Sequence, residues 1–367
     1  MKMVFRWFGE ADDSVNLAHI RQIPGINGVA SALQDIPVGD VWPLERIVAL
    51  KNSVTKVGLN LEVIESVNIH DDIKLGAPSR DLYIENYRKT IRHLGKAGIK
   101  VICYNFMPVF DWVRSDLAKP LADLSTVLSY EEHLISEINP IRMLEEMQNG
   151  SKGFSLPGWE PERLSNLKAL FEKYSDVNQT KLLANLKYFL ESIIPVCEDY
   201  DVKMAIHPDD PPWPVFGLPR IVTNRENLQQ IVDLVDSSYN GITLCSGSLG
   251  VNIENDIPEM IRHFGKLNRI HFGHVRNVKI ISERNFHETS HLSNDGSLDM
   301  FEIMKAFYDI GFMGYLRPDH GRMIWGERAR PGYGLYDRAL GIAYLNGLWE
   351  AVIKMRPDDR RNNHGKQ

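Results

Sequence analysis

The sequence has few cysteines, no long hydrophobic run and no surplus of positive charge. Only Cys103, Cys197 and Cys245 occur among 367 residues, so we expect free thiols in a reducing compartment and no disulfide framework. No apolar stretch approaches the roughly 20 residues that a membrane-spanning helix needs. Arg6 and the acidic residues after it interrupt the N-terminal segment too early for a secretory signal. We therefore expect a cytoplasmic protein without a membrane partner.

Two further absences narrow the possible partners. The chain carries 42 Lys and Arg against 48 Asp and Glu, a net charge of -6, whereas a nucleic-acid surface needs clustered positive charge. Neither G-x-G-x-x-G nor G-x-x-x-x-G-K-[ST] occurs, so we expect no nucleotide cofactor. The hydrophobic share of 43% is ordinary and is enough to build a core.

What the sequence does contain is an alternation of strand-like and helix-like segments. Segments between most of the strand-like runs have apolar residues at i, i+3 and i+4, the spacing of amphipathic helices. We predict strands at 3–8, 28–33, 60–66, 100–105, 202–207, 241–245, 269–275 and 314–317. Eight strands in strict alternation with helices favour an α/β fold of the (β/α)8 TIM-barrel type over an open doubly wound sheet.

One stretch interrupts the alternation. Residues 106–179, between the fourth and fifth strands, far exceed a normal helical crossover. They contain two helix-like patterns, YEEHLISEI and RMLEEMQ, so we predict a long helical insertion that could act as a lid. The rest of 1–350 is predicted to be a single barrel domain, and 351–367 a polar tail.

Four of the predicted strands end in residues that bind transition metals well: His207, Cys245, His274 and Asp319. The carboxyl ends of barrel strands meet at one rim, where active sites form. Each residue alone has a commoner structural explanation, but four in succession favour a divalent-metal site. Imidazole, thiolate and carboxylate suit Mn²⁺, Fe²⁺, Co²⁺ or Zn²⁺. His271 precedes His274 by three positions and is expected to face away.

Three neighbours of these residues are candidates for chemistry. His320 follows Asp319 and could transfer protons beside the metal without binding it. Arg317 can hold a carboxylate with two parallel hydrogen bonds. Tyr333, in RPGYG, is either a loop residue that folds over the site or an ordinary surface tyrosine.

The motif HPDDPP suggests further contacts. Asp209 and Asp210 could bind a substrate hydroxyl or a histidine N–H, or could simply stabilise the turn. Arg276, shortly after His274, is taken with them as a candidate substrate-binding residue.

Several motifs together resemble one enzyme family. FRWFGEADDSV, NFMPVFDW, HPDDPP, LCSGSLGV, HFGHVRN, FHETSHL and RPDHG occur in order over most of the chain, and the chain is similar to the mannonate dehydratases of bacterial hexuronate catabolism. The resemblance implies dehydration of D-mannonate to 2-keto-3-deoxy-D-gluconate with Mn²⁺ or Fe²⁺. It places the metal on His207, Cys245, His274 and Asp319. Gln34 stands where the family often has histidine.

The resemblance also places Arg317, His320 and Tyr333 around the sugar acid. We assign proton removal from C2 and assistance to the departing C3 hydroxyl to His320 and Tyr333, without ordering them. The alternatives are a metal-dependent sugar isomerase or epimerase, another sugar-acid enzyme on the same barrel, and a non-enzymatic sugar-acid-binding protein. A homodimer or larger homo-oligomer is expected, because large barrels commonly pair.

Overall fold

The computed structural model describes residues 1–137 and 167–355. Its strands, in chain order, are β1 Lys2–Arg6, β2 Ile26–Ser31, β3 Asn60–Glu65, β4 Val101–Tyr104, β5 Asp116–Pro120, β6 Thr126–Glu131, β7 Lys203–Ile206, β8 Asn240–Cys245, β9 Ile270–His274, β10 Val278–Ser282, β11 Asn285–Glu288 and β12 Tyr315–Arg317. Its helices are α1 Leu17–Arg21, α2 Leu44–Lys56, α3 Asp71–Leu75, α4 Arg80–Lys96, α5 Glu132–Glu137, α6 Leu167–Tyr174, α7 Gln179–Tyr200, α8 Arg225–Leu234, α9 Ser246–Gly250, α10 Ile257–Lys266, α11 Met300–Asp309 and α12 Tyr336–Met355, with a 3₁₀ helix at Ser293–Asp295.

Eight of these strands close into a parallel barrel in the order β1-β12-β9-β8-β7-β4-β3-β2. Every neighbouring pair around the barrel is parallel. The predicted (β/α)8 barrel is therefore confirmed, and each predicted strand agrees with the observed one to within two residues at either end.

The alternation of side chains along the strands explains where polar groups can gather. The barrel interior is filled by a mainly apolar cluster of Val4, Ala30, Val63, Val101, Cys103, Ala205, Phe272 and Tyr315. His274 lies two residues beyond Phe272 and so shares its inward face. Arg317 has the same relation to Tyr315. The next inward layer, at the carboxyl ends of the strands, is thus polar and rests on an apolar floor.

Helices surround the barrel, and α4, α7, α10 and α11 each bury several apolar side chains. The helix α7 begins at the last residue of the predicted insertion, Gln179. The Asn178 side chain caps it by accepting from the Lys181 N–H at 2.9 Å. Phe189 of α7 packs edge-on against Tyr87 of α4, with the ring centroids 5.1 Å apart. Among residues 1–137 and 167–355, no helix combines the length and apolarity required to cross a membrane.

A second sheet stands beside the barrel rim. It is antiparallel, with the order β10-β11-β6-β5, and joins the start of the insertion to the segment that follows β9. The insertion is therefore not purely helical, because its described part contains β5 and β6 as well as α5 and α6. The first helix-like pattern corresponds to α5, whereas RMLEEMQ lies outside the described residues. The lid role and the domain bounds stay predictions.

Candidate metal centre

The four strand-end residues meet at the carboxyl rim of the barrel. One donor atom from each of His207, Cys245, His274 and Asp319 lies within 4.8 Å of the others. His207 Nε2 is 3.0 Å from His274 Nδ1, and Cys245 Sγ is 3.5 Å from Asp319 Oδ2. The structure thus brings all four predicted ligands together, and His271 is not among them.

The protonation pattern of His207 fits a metal ligand. Its Nδ1 is 2.7 Å from the carbonyl oxygen of Pro208. A carbonyl oxygen only accepts hydrogen bonds, so Nδ1 carries the proton and the lone pair lies on Nε2, which faces His274. Two imidazoles, one thiolate and one carboxylate form a donor set that suits a borderline divalent ion.

Cys245 is held by donors of the segment that follows it. The Ser248 N–H and Oγ donate to its Sγ at 3.4 Å and 3.1 Å, which are contacts that a thiolate can accept. Burial raises the pKa of the Cys103 thiol. It belongs to a second group of metal-type residues with Glu65 and His274, for which the protonated thiol is a poorer donor.

Arginines set the charge of Asp319. Burial would raise the pKa of this carboxyl, but Arg317, His320, His274 and Arg276 together hold it well below its usual value. Arg317 Nη2 is 2.8 Å from Oδ1, and Arg276 Nε is 2.7 Å from Oδ2. The side chain is therefore an ionised carboxylate, the form that a metal requires.

Glu65 is a rim residue that the sequence analysis missed. It ends β3, and its carboxylate accepts from Arg317 Nη2 at 2.6 Å while Oε2 lies 3.6 Å from His274 Nε2. Arg317 Nε also donates to His274 Nε2 at 3.0 Å. The strand-end position that identified the four ligands would have identified Glu65 as well.

His320 and Tyr333 form a contact pair next to Asp319. His320 Nε2 is 2.8 Å from the Tyr333 hydroxyl, and Nδ1 is 3.1 Å from Glu288 Oε1. Tyr333 is 5% exposed, so it is not a surface tyrosine. Burial raises the pKa of the Tyr333 hydroxyl, which keeps it protonated at neutral pH. The pair can therefore share and transfer a proton.

A buried network of charges lies behind this pair. Arg114 donates to Asp210 at 2.7 Å and 3.0 Å and to Glu288 at 2.9 Å. Arg276 donates to Asp210 at 2.8 Å and also pairs with Glu288. Asp210 and Arg276 were predicted from the sequence, whereas Arg114 and Glu288, which flank or belong to the second sheet, were not.

The structure separates the two neighbouring aspartates of HPDDPP. The Asp209 carboxylate accepts from the backbone N–H groups of Ile221 and Val222 at 2.8 Å and 2.7 Å, and it is 1% exposed. It stabilises the loop and does not line the cavity, so the turn interpretation is the better one for Asp209. Asp210 does line the cavity, whereas Arg276 does not.

A cavity of about 900 Å³ opens above the strand ends. Its lining includes Gln34, Glu65, Asp210 and Arg317, together with two of the four candidate ligands and the two residues of the His320–Tyr333 contact. The two candidate ligands are His207 and Asp319, and the other two lining residues are His320 and Tyr333. The volume lies in the usual range for small-molecule sites.

Comparisons with known proteins point to one family. The family described as D-mannonate dehydratase (UxuA) matches residues 1–359. A mannonate dehydratase of Thermotoga neapolitana is 64% identical over 356 residues, which are 97% of this chain and 99% of that protein. The crystal structure of mannonate dehydratase from Streptococcus suis serotype 2 has a TM-score of 0.88 at 48% identity, with 97% of this chain and 95% of that chain covered. A D-tagatose 3-epimerase-like protein, at 14% identity and a TM-score of 0.53 over 97% and 99% of the two chains, is similar in fold alone.

Proposed function

Because this chain belongs to the mannonate dehydratase family, and is thus a hydro-lyase, we propose that it converts D-mannonate to 2-keto-3-deoxy-D-gluconate in the rim cavity with one bound divalent ion. The observation that carries the proposal is the convergence of four ligand atoms within 4.8 Å beside the His320–Tyr333 pair. A metal site and a proton-transfer pair at one rim are what dehydration next to a carboxylate needs.

His207, Cys245, His274 and Asp319 would hold the ion, for which we propose Mn²⁺ or Fe²⁺. Such an ion, when bound, acts as a Lewis acid that stabilises negative charge on the carboxylate side of the substrate. Thiolate among the donors disfavours Mg²⁺ and Ca²⁺, which prefer oxygen ligands.

Proton transfer falls to His320 and Tyr333. The proton on C2 is weakly acidic because its removal adds a second negative charge next to the carboxylate. One member of the pair accepts that proton, and the other donates to the C3 hydroxyl, which leaves as water. The resulting enol then becomes the 2-keto acid. Their separation of 2.8 Å allows the pair to restore its own protonation afterwards.

Arg317 is proposed to balance charge at the rim. Its guanidinium contacts Glu65, His274 and Asp319, so it orients two ligands while offsetting the charge of the bound acid. Asp210, on the cavity wall, is the better candidate for a substrate hydroxyl. Arg276, which lies behind that wall, would support Asp210 and Asp319.

The substrate assignment predicts turnover of one aldonate. Purified protein loaded with Mn²⁺ should form a 2-keto acid from D-mannonate faster than from other aldonates, and mass spectrometry should show a product lighter by one water. A product of unchanged mass would favour the sugar isomerase or epimerase. Absence of any product from the aldonate panel would overturn the proposed dehydration.

Metal removal should abolish this turnover. Protein treated with EDTA and desalted should be inactive, and Mn²⁺ or Fe²⁺ should restore activity where Mg²⁺ does not, because the donor set contains a thiolate. Elemental analysis should give one ion per chain in the restored protein. Full activity in a preparation shown to be free of metal would contradict the role of the four ligands.

The remaining expectations stay predictions. A place in hexuronate catabolism, a cytoplasmic location, the lack of nucleic-acid and membrane partners and a homo-oligomeric state all rest on sequence arguments. Light scattering of the purified protein gives the mass in solution and decides the oligomeric state.

A further inference from the structure

Glu288 is a buried carboxylate with an unusual concentration of donors. It ends β11, in the sheet outside the barrel, and its side chain is fully buried. One oxygen, Oε1, receives Arg114 Nη2 at 2.9 Å, His320 Nδ1 at 3.1 Å and an N–H of Arg276. Within the described ranges, Oε2 has no hydrogen-bond partner. The hydrogen bonds that the described residues make to the Glu288 carboxylate thus converge on Oε1, the atom that faces His320.

The ionisation state of Glu288 determines which ring nitrogen of His320 carries the proton. Burial would raise the pKa of Glu288, but Arg276, His320 and Arg114 lower it to about 2. An ionised carboxylate only accepts hydrogen bonds, so the contact at 3.1 Å requires a proton on His320 Nδ1. In the neutral ring the lone pair then lies on Nε2, 2.8 Å from the hydroxyl of Tyr333.

Building on the proposed function, we propose that Glu288 is a positioning residue that fixes the tautomer of His320, which makes His320 Nε2 the acceptor of the C2 proton and Tyr333 the donor to the C3 hydroxyl. The same logic operates wherever an acid orients a histidine that transfers protons. The two arginines hold the carboxylate in place, so the orientation is built into the fold.

The proton and electron balance closes over one turnover. The C2–H bond breaks, its proton binds Nε2, and its electron pair forms the C2–C3 double bond. The C3–O bond breaks, and the leaving hydroxyl takes the Tyr333 proton to become water. Imidazolium at His320 is stabilised by the charge of Glu288 and then returns a proton to Tyr333 across 2.8 Å. The enol moves its hydroxyl proton to C3 and becomes the keto acid.

Replacing Glu288 by glutamine removes the negative charge of the side chain and keeps its shape. In Glu288→Gln the two arginines keep a carbonyl oxygen at the position of Oε1, so the hydrogen bond to Nδ1 is retained while the negative charge is lost. We expect kcat on D-mannonate to fall about 100-fold because imidazolium loses its counter-charge. KM should change by less than about 3-fold and the metal content should stay the same, because no ligand is altered.

A double variant tests whether Glu288 acts through His320. In a His320→Asn background, Glu288→Gln should cause no further loss of kcat, because the group on which it acts is gone. A purely structural role predicts the same fold-loss in both backgrounds, and that result would overturn the proposal.

A spectroscopic measurement keeps the proposal testable if Glu288→Gln does not fold. In wild-type protein labelled with ¹⁵N-histidine and loaded with diamagnetic Zn²⁺, the His320 signals, assigned with His320→Asn, should show a protonated Nδ1 and an unprotonated Nε2. A proton on Nε2 instead would overturn the role of Glu288. This readout needs no turnover, so an inactive wild-type protein would refute the proposed function and still leave the tautomer to be decided.

Discussion

His320→Asn and Tyr333→Phe should each lose about 10³-fold in kcat on D-mannonate while keeping their metal. Both side chains are buried and contact each other at 2.8 Å beside Asp319, and neither is one of the four candidate ligands. Removal of a positioned acid or base typically costs 10² to 10⁴, roughly. Steady-state kinetics and elemental analysis of the same preparations give both readouts.

Tyr130→Phe is the matched control for the tyrosine. Tyr130 is a buried tyrosine of β6 whose hydroxyl donates to Glu132 at 2.6 Å, and it does not line the cavity. Its variant should keep turnover near the wild-type rate. Wild-type turnover in either His320→Asn or Tyr333→Phe would remove that residue from the mechanism.

Cys245→Ala should weaken metal binding by about 100-fold or more. The substitution removes the thiolate from the donor set and leaves the two Ser248 donors without their sulfur acceptor. Loss of even an outer partner of a metal ligand typically costs 10- to 100-fold, roughly, and loss of a ligand itself should cost no less. Competition with a metal-binding dye gives the dissociation constant.

Cys197→Ala provides the control for this measurement. Cys197 is a fully buried thiol of α7, whose removal leaves a small cavity but no change at the rim. It should bind the ion as the wild type does. Equal affinity in the two alanine variants would refute the ligand role of Cys245.

The four candidate metal ligands could be predicted from the sequence because of a geometric rule. Parallel strands of a barrel deliver their last residues to one rim, so His207, Cys245, His274 and Asp319 could be placed together without knowledge of side-chain contacts. The same rule covers Glu65. The barrel could be predicted because the alternation of strand-like and helix-like segments recurs along most of the sequence.

The charged network could not be found in this way. Arg114 lies just before β5 and Glu288 ends β11, so both reach the site from the second sheet, in which Asn285 pairs with Glu131. Short strands so far apart in the chain carry no local sign of pairing. Asp209 and Asp210 show a second limit. They are adjacent and chemically identical, and only the folded chain decides that one binds backbone N–H groups and the other Arg114.

The second sheet also determines when the fold can be completed during synthesis. The strands β5 and β6 leave the ribosome long before β11 exists to cover the free edge of β6, and an unpaired strand edge invites association with other chains. Contacts between such distant segments also form slowly. We therefore expect recovery of activity on refolding to lag behind recovery of helical secondary structure.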